Sequence, residues 1–297
     1  MTTIISPRSE ARSEALRPAL RLLGGTIRLA TMLSPELGGR LANRLWFGTQ
    51  RYAEPARERT WRAMAETGSL ECSGLRLATY AWGPTGGPTV LLMHGWHGRG
   101  MQLGAFAAPL AAAGFRVVTF DAPAHGRTPG RSTNLPEVAA ALMAVAAAES
   151  AAGRTLHGVV AHSFGTTCTL HALDLGLKAA RVVAISAPAS IEFMMESFGD
   201  ALGVPPPARE VHRRLMEERF GADVWERLSP LRIAATLEAQ ALLIHDAEDR
   251  DVPLHQGRAL AQAWGGSQLM ETTGLGHRRI LREPIVVERT VKFLVEE

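Results

Sequence analysis

A serine at position 163 sits in the run GVVAHSFGTT (158–167), where an apolar stretch gives way to a helix-forming one. A serine on a tight strand-to-helix turn is held in a strained backbone conformation, and the residues two positions either side must be small for strand and helix to pass closely. Ala161 and Gly165 meet that condition. A serine hydroxyl is a weak nucleophile near neutral pH, so it needs a base, and the base needs an acid to orient it. Thr273-Gly274-Leu275-Gly276-His277 supplies a histidine between short residues. The loop Asp246-Ala247-Glu248-Asp249-Arg250-Asp251 offers four carboxylates. Asp246 follows an apolar run directly, too near a strand end to turn toward a base on another loop. Asp251 stands two residues before Pro253, where it would cap a helix. Glu248 is longer and more mobile, which leaves Asp249 as the expected partner of His277. The turn His94-Gly95-Trp96-His97-Gly98 exposes backbone donors, so the N–H groups of Trp96 and Phe164 are the expected oxyanion contacts.

Each of these residues has a plainer reading. Ser163 could cap the helix that follows it, and His277 could be an ordinary loop histidine. His94, His97, His125, His162 and His245 are expected mainly to brace loops, with His97 and Trp96 also lining the entrance. Cys168 reads as a small buried apolar residue. Phe193, Met194, Met195 and Phe198 could line an acyl pocket or merely pack a cap; flexible methionines would suit a tolerant pocket.

The elements that must position this chemistry follow from periodicity. From residue 88 onward, short apolar runs alternate with longer helical stretches, the pattern of a mostly parallel sheet with crossover helices. Strands are expected near 89–94, 116–121, 157–162, 181–186, 240–245 and 267–272, and helices near 103–113, 135–152, 164–176, 254–265 and 284–296. Right-handed crossovers gather the loops after the strands at one sheet edge. Residues 69–82 alternate around Ser73-Gly74 and predict a β-hairpin. The fold class is α/β, a mostly parallel sheet flanked by helices. Residues 1–70 form an N-terminal helical extension, and 71–297 a catalytic domain with a helical cap inserted at about 189–239. Leu16, Leu20, Leu23 and Ile27 recur at helical spacing within the extension.

Taken together, His94-Gly95, the run Asp121-Ala122-Pro123-Ala124-His125-Gly126-Arg127, the serine turn, the Asp249 loop with Val252-Pro253, and Gly276-His277 resemble the α/β-hydrolase superfamily, and its serine esterases in particular, from about residue 70 to the C-terminus. The order serine, acid, histidine is the family order. Asp249 matches the family's acid position, three residues after the strand-end residue, here Asp246 where glycine is common. The first small residue of the serine turn is commonly glycine in the family; here it is Ala161. The resemblance implies a serine hydrolase that cleaves carboxylic esters of small or medium acyl chains through an acyl-enzyme, without metal or organic cofactor. Thioester hydrolysis or acyl transfer would use the same triad, and a noncatalytic ligand-binding protein could keep the same fold. Dehalogenation and epoxide opening are disfavoured, because the family members that perform them carry an acidic nucleophile where this chain has Ser163.

Composition bounds the partners. Apolar residues make up 46% and charged ones 21% of 297 residues, as expected of a chain with a large core. Residues 1–70 carry 11 Arg against 6 Glu, so the formal charge of +3 sits in the extension. No basic stripe with interleaved aromatics surrounds the motifs, which argues against nucleic acid. Two distant cysteines make neither a disulfide framework nor a metal cluster. The opening MTTIISPRSEARSEALR lacks the apolar core of a secretory signal, so a cytoplasmic location is expected. The expected partner is a small-molecule ester. The extension could pack on the body, pair two subunits into a homodimer, or lie on an anionic membrane; Gly24-Gly25 and Gly38-Gly39 interrupt its amphipathic face and disfavour the membrane.

Overall fold

The alternation of apolar runs and helical stretches folds into an eight-stranded sheet in a computed structural model that describes the backbone of residues 7–296 and the side chains of residues 20–296. The strands are β1 (Glu66–Cys72), β2 (Leu75–Trp82), β3 (Thr89–Met93), β4 (Arg116–Phe120), β5 (Leu156–His162), β6 (Arg181–Ile185), β7 (Gln240–Asp246) and β8 (Gln268–Thr272). They lie in the order β1-β2-β4-β3-β5-β6-β7-β8. Only β2 is antiparallel to its neighbours; β3 to β8 run parallel. The hairpin turns at Ser73 (φ 50°) and Gly74 (φ 76°), two successive left-handed residues whose twist suits a two-residue connection.

A parallel sheet must be covered on both faces, and the strand sequences show how. Val183, Ile185, Leu242 and Ile244 enter one core with Phe106, Val90 and Phe293. Their alternate neighbours Val182, Ala184, Ala241 and Leu243 enter a second core with Leu170, Leu260 and Trp264. That period of two explains why these strands read as continuous apolar runs. The expected helices form at Leu135–Ala151, Phe164–Asp174, Leu254–Ala263 and Pro284–Val295. The one expected near 103–113 divides into a 3-10 segment, Gly100–Phe106, and a short α-helix, Ala107–Ala112.

Contacts divide the chain into two units, residues 49–189 with 230–297 and residues 1–48 with 190–229. The boundary therefore falls after Gly48, not at residue 70, and the first helices associate with the inserted ones instead of standing apart. The reason lies in residues 49–70. Glu58, only 3% exposed, pairs with buried Arg99 at 2.5 Å, Trp61 lies against Gly104, and β1 is the edge of the sheet. Likewise Pro230–Ala234, expected within the cap, contributes Ile233 and Ala234 to the second core of the sheet. The smaller unit is helical, with Pro7–Leu33, Pro35–Trp46, Ile191–Leu202, Pro206–Phe220 and Val224–Arg227. Its core holds Ile27, Ala42, Leu202, Val204 and Ala208, with Leu20 and Leu23 against them. The side chain of Leu16 lies outside the described residues. No helix among the described residues is long and apolar enough to cross a membrane.

Candidate active site

Ser163 stands between β5 and the Phe164–Asp174 helix with φ 53° and ψ −127°, a conformation that costs a non-glycine residue on the order of 1–3 kcal/mol. Close packing imposes it. A Cβ at Gly165 would stand 2.5 Å from the His94 carbonyl oxygen, and one at Gly95 would stand 3.1 Å from Cβ of Ser163. The absence of a side chain at Gly165 is what lets the helix approach the end of β3 this closely, and Gly95 leaves little room beside Ser163. The Ser163 side chain makes no capping bond to its helix, so the capping reading falls away and the half-buried hydroxyl is left for another role.

His277 Nδ1 lies 2.8 Å from Asp249 Oδ2. An ionised carboxylate only accepts, so the proton sits on Nδ1 and Nε2 carries the lone pair of a base. Asp249 is 5% exposed, and its Oδ1 accepts the N–H groups of Asp251 and Val252, each at 2.9 Å. Burial alone would push the Asp249 carboxyl up; the bond to His277, its charge and the Val252 N–H outweigh burial and hold it below the ordinary carboxylate value. His162 Nε2–H donates to the His277 carbonyl oxygen at 2.8 Å, and the two rings pack at a 48° tilt with centroids 4.6 Å apart. The residue just before Ser163 thereby holds the backbone of His277. Burial drives His162 far below its usual range, so it stays neutral.

Asp246, fully buried, has a different task from Asp249. Its Oδ1 accepts from the N–H groups of Glu248 (3.0 Å) and Gly276 (2.8 Å), and its Oδ2 from Leu275 N–H (3.0 Å) and the Thr272 hydroxyl (2.7 Å). One carboxylate thus ties the acid loop to the two residues before His277. Burial raises its pKa, but these donors together hold it below the ordinary value. His245 closes the same loop through Nε2–H to the Val252 carbonyl at 2.8 Å.

A second histidine group fixes the turn after β3. His94 Nδ1–H donates to the Gly95 carbonyl at 2.8 Å, and its Nε2 accepts from Ala122 N–H at 3.0 Å. His125 Nδ1–H donates to Pro123 O at 2.9 Å, and its Nε2 accepts the His97 N–H at 3.1 Å. Each ring both donates and accepts, which only the neutral form can do. Burial, the first cause in each case, lowers His94 and His97 to about 4 and His125 to about 3. His125 occupies the His97 N–H and Gly95 O takes the Gly98 N–H, whereas the Gly95 and Trp96 N–H groups of this turn have no backbone partner of that kind among the described residues. Phe164 N–H begins its helix and has no partner within it.

Ser163, His277, Asp249, Trp96 and Phe164 are thus gathered at the ends of β3, β5, β7 and β8. The rings of Trp96 and Phe164 meet edge to face at 5.0 Å. His97 is half-buried beside Trp96 at 5.8 Å, its Nδ1 accepting Gln50 N–H at 3.0 Å, so it braces the turn as well as flanking it. Met194 and Met195 belong to the Ile191–Leu202 helix of the smaller unit, where Met195 is buried and Met194 half-buried. Asp251 does not cap the following helix: its side chain is exposed, 3.8 Å from Arg278. Cys168 is fully buried, and burial pushes its thiol well up. Sequence reasoning missed the part played by Asp246, whose position at a strand end was the only signal, and expected His162 to brace a loop without saying which. No cluster of three His, Cys, Asp or Glu arranged for a metal occurs among the described residues.

The profile of the alpha/beta hydrolase family matches residues 90–290. An esterase of Pyrococcus furiosus superposes with a TM-score of 0.63 at 16% identity, covering 84% of this chain and 96% of its own. A Rhodococcus esterase superposes at 0.54 and 16% identity, covering 78% and 98%. The thioesterase domain of the curacin biosynthetic pathway gives 0.57 at 16%, covering 78% and 99%. Likeness at such identities is likeness of fold.

Proposed function

The chain belongs to the alpha/beta hydrolase family, and from that premise we propose that it is a carboxylesterase-like serine hydrolase acting on small or medium acyl esters. The observation that carries this reading is the 2.8 Å bond from His277 to buried Asp249, with the His277 carbonyl held by His162, the residue before a strained Ser163. In the proposed reaction His277 Nε2 takes the Ser163 proton as Oγ attacks the acyl carbon. Asp249 holds the imidazole and balances its transient charge. The N–H groups of Trp96 and Phe164 meet the tetrahedral oxyanion, worth about 3 kcal/mol per donor. His277 then gives the proton to the departing alcohol, leaving an acyl-serine that water opens by the same steps in reverse order. No cofactor enters this scheme. Thioester hydrolysis or acyl transfer would run on the same groups and differ in leaving group or acceptor.

The test joins labelling to turnover. A fluorophosphonate should modify Ser163 stoichiometrically, and p-nitrophenyl esters from short to long acyl chains should be hydrolysed. Absence of both labelling and turnover would leave a noncatalytic ligand-binding protein as the better reading.

A further inference from the structure

We propose that the first helix, Pro7–Leu33, docks the protein on an anionic lipid surface. Folding leaves several large apolar side chains in water on this helix: Leu22, Leu29, Met32 and Leu33 are 65–83% exposed, and Leu37, at the start of the next helix, is 53% exposed. Residues 22, 29 and 33 fall within about 40° of one another at 100° per residue, so they form one outward stripe opposite the core-facing Leu20, Leu23 and Ile27. Of the glycines expected to break the amphipathic face, only Gly25, whose Cβ would meet nothing nearer than Arg28 Nη2 at 4.0 Å, lies beside this stripe. Gly24 and Gly38 lie on the inward side, where a Cβ would stand 2.1 Å from Leu202 O and 2.0 Å from Thr31 Oγ1.

Charge selects the occupant. Between residues 20 and 33 the helix carries Arg21 and Arg28 and no acid, and the next helix adds Arg40 and Arg44 against Glu36 alone. Arg21 and Arg28 flank the stripe on one side and line a cleft of about 310 Å³ with Leu20, Ala201, Leu202 and Gly203. Leucines at the depth of the upper acyl chains with arginines at phosphate level is how an interfacial helix lies on anionic lipid. Arg40 is paired with Glu36 at 2.8 Å, but a second copy of the chain would still bring a like positive excess to the stripe. The helix is too polar to span, so the docking is peripheral.

The test is flotation of the full chain with vesicles of equal phosphatidylglycerol and phosphatidylcholine, beside vesicles of phosphatidylcholine alone. The expected result is flotation with the anionic vesicles only, abolished by high salt. The triple variant Leu22→Ser/Leu29→Ser/Leu33→Ser should partition about a hundredfold less while melting as the wild type does. Failure to float with anionic vesicles overturns the proposal. So does equal, salt-insensitive flotation with both vesicle types. A wild-type dimer in sedimentation that the triple variant converts to monomer, with no flotation, would overturn it in favour of a second copy. None of these readouts depends on ester hydrolysis.

Discussion

Replacing Asp246 by asparagine tests whether the carboxylate beside the catalytic loop positions the base. Oδ1 and Oδ2 each accept two donors, among them the N–H groups of Leu275 and Gly276, which immediately precede His277. An amide keeps one acceptor oxygen and turns the other into a donor. The best placement retains Glu248 and Gly276 and lets the Thr272 hydroxyl reverse, but it sets an NH₂ against Leu275 N–H. One charge-assisted bond, about 1.5–3 kcal/mol, is broken and the remaining ones lose their charge, giving a destabilisation of about 2–4 kcal/mol. Displacement of the His277 loop on the order of 1 Å should lower kcat about a hundredfold with little change in KM. The folded-state pKa of Asp246 is depressed, so its contribution is fully present above the unfolded value near 4 and is lost as pH falls toward the folded one. The Asn variant should therefore lose the part of the acid limb that Asp246 supplies. Urea unfolding at pH 7 and below pH 4, with ester turnover, makes the measurement. Stability within about 0.5 kcal/mol of wild type together with an unchanged kcat would refute the reasoning.

Ser163→Ala and His277→Ala should each abolish nearly all p-nitrophenyl ester turnover while the melting curve stays in place; substantial residual rate in either rejects that residue's role. Asp249→Asn should lower kcat by about 10⁴, and a nearly active Asp249→Asn beside an inactive Asp251→Asn would reassign the acid. Fully buried His94, lowered to about 4, resists protonation while the unfolded chain takes up a proton near 6.5, so stability falls as pH drops through that interval. Between pH 7 and pH 5 the loss should be about 2 kcal/mol from this residue, and His94→Gln should remove that share of the pH dependence in urea titrations.

Strand positions were legible because the central parallel strands are buried on both faces and must be mostly apolar, whereas the edge strand β8 is largely exposed. β3, β5, β6 and β7 therefore stand out against polar loops, and their order places the turns bearing Ser163, Asp249 and His277 at one sheet edge. The small residues at 161 and 165 were legible for a related reason, since steric exclusion leaves a local mark on the chain. What sequence could not decide depends on distance across the fold. Asp249 could be picked out from the 246–251 loop as the partner of the imidazole, but not the turn closed by His245 nor Asp246 reaching residues 272–276, which hold that pairing in place. His162 holding the carbonyl of His277 joins residues 115 positions apart, and no periodicity records such a bond. The division at Gly48 is of the same kind. Residues 49–65 read as one more piece of a helical extension until the buried pair Glu58–Arg99 joins them to the turn after β3. Local sterics and burial are written along the chain, whereas the pairing of polar groups is settled only when tertiary structure chooses which of them share the same dry space.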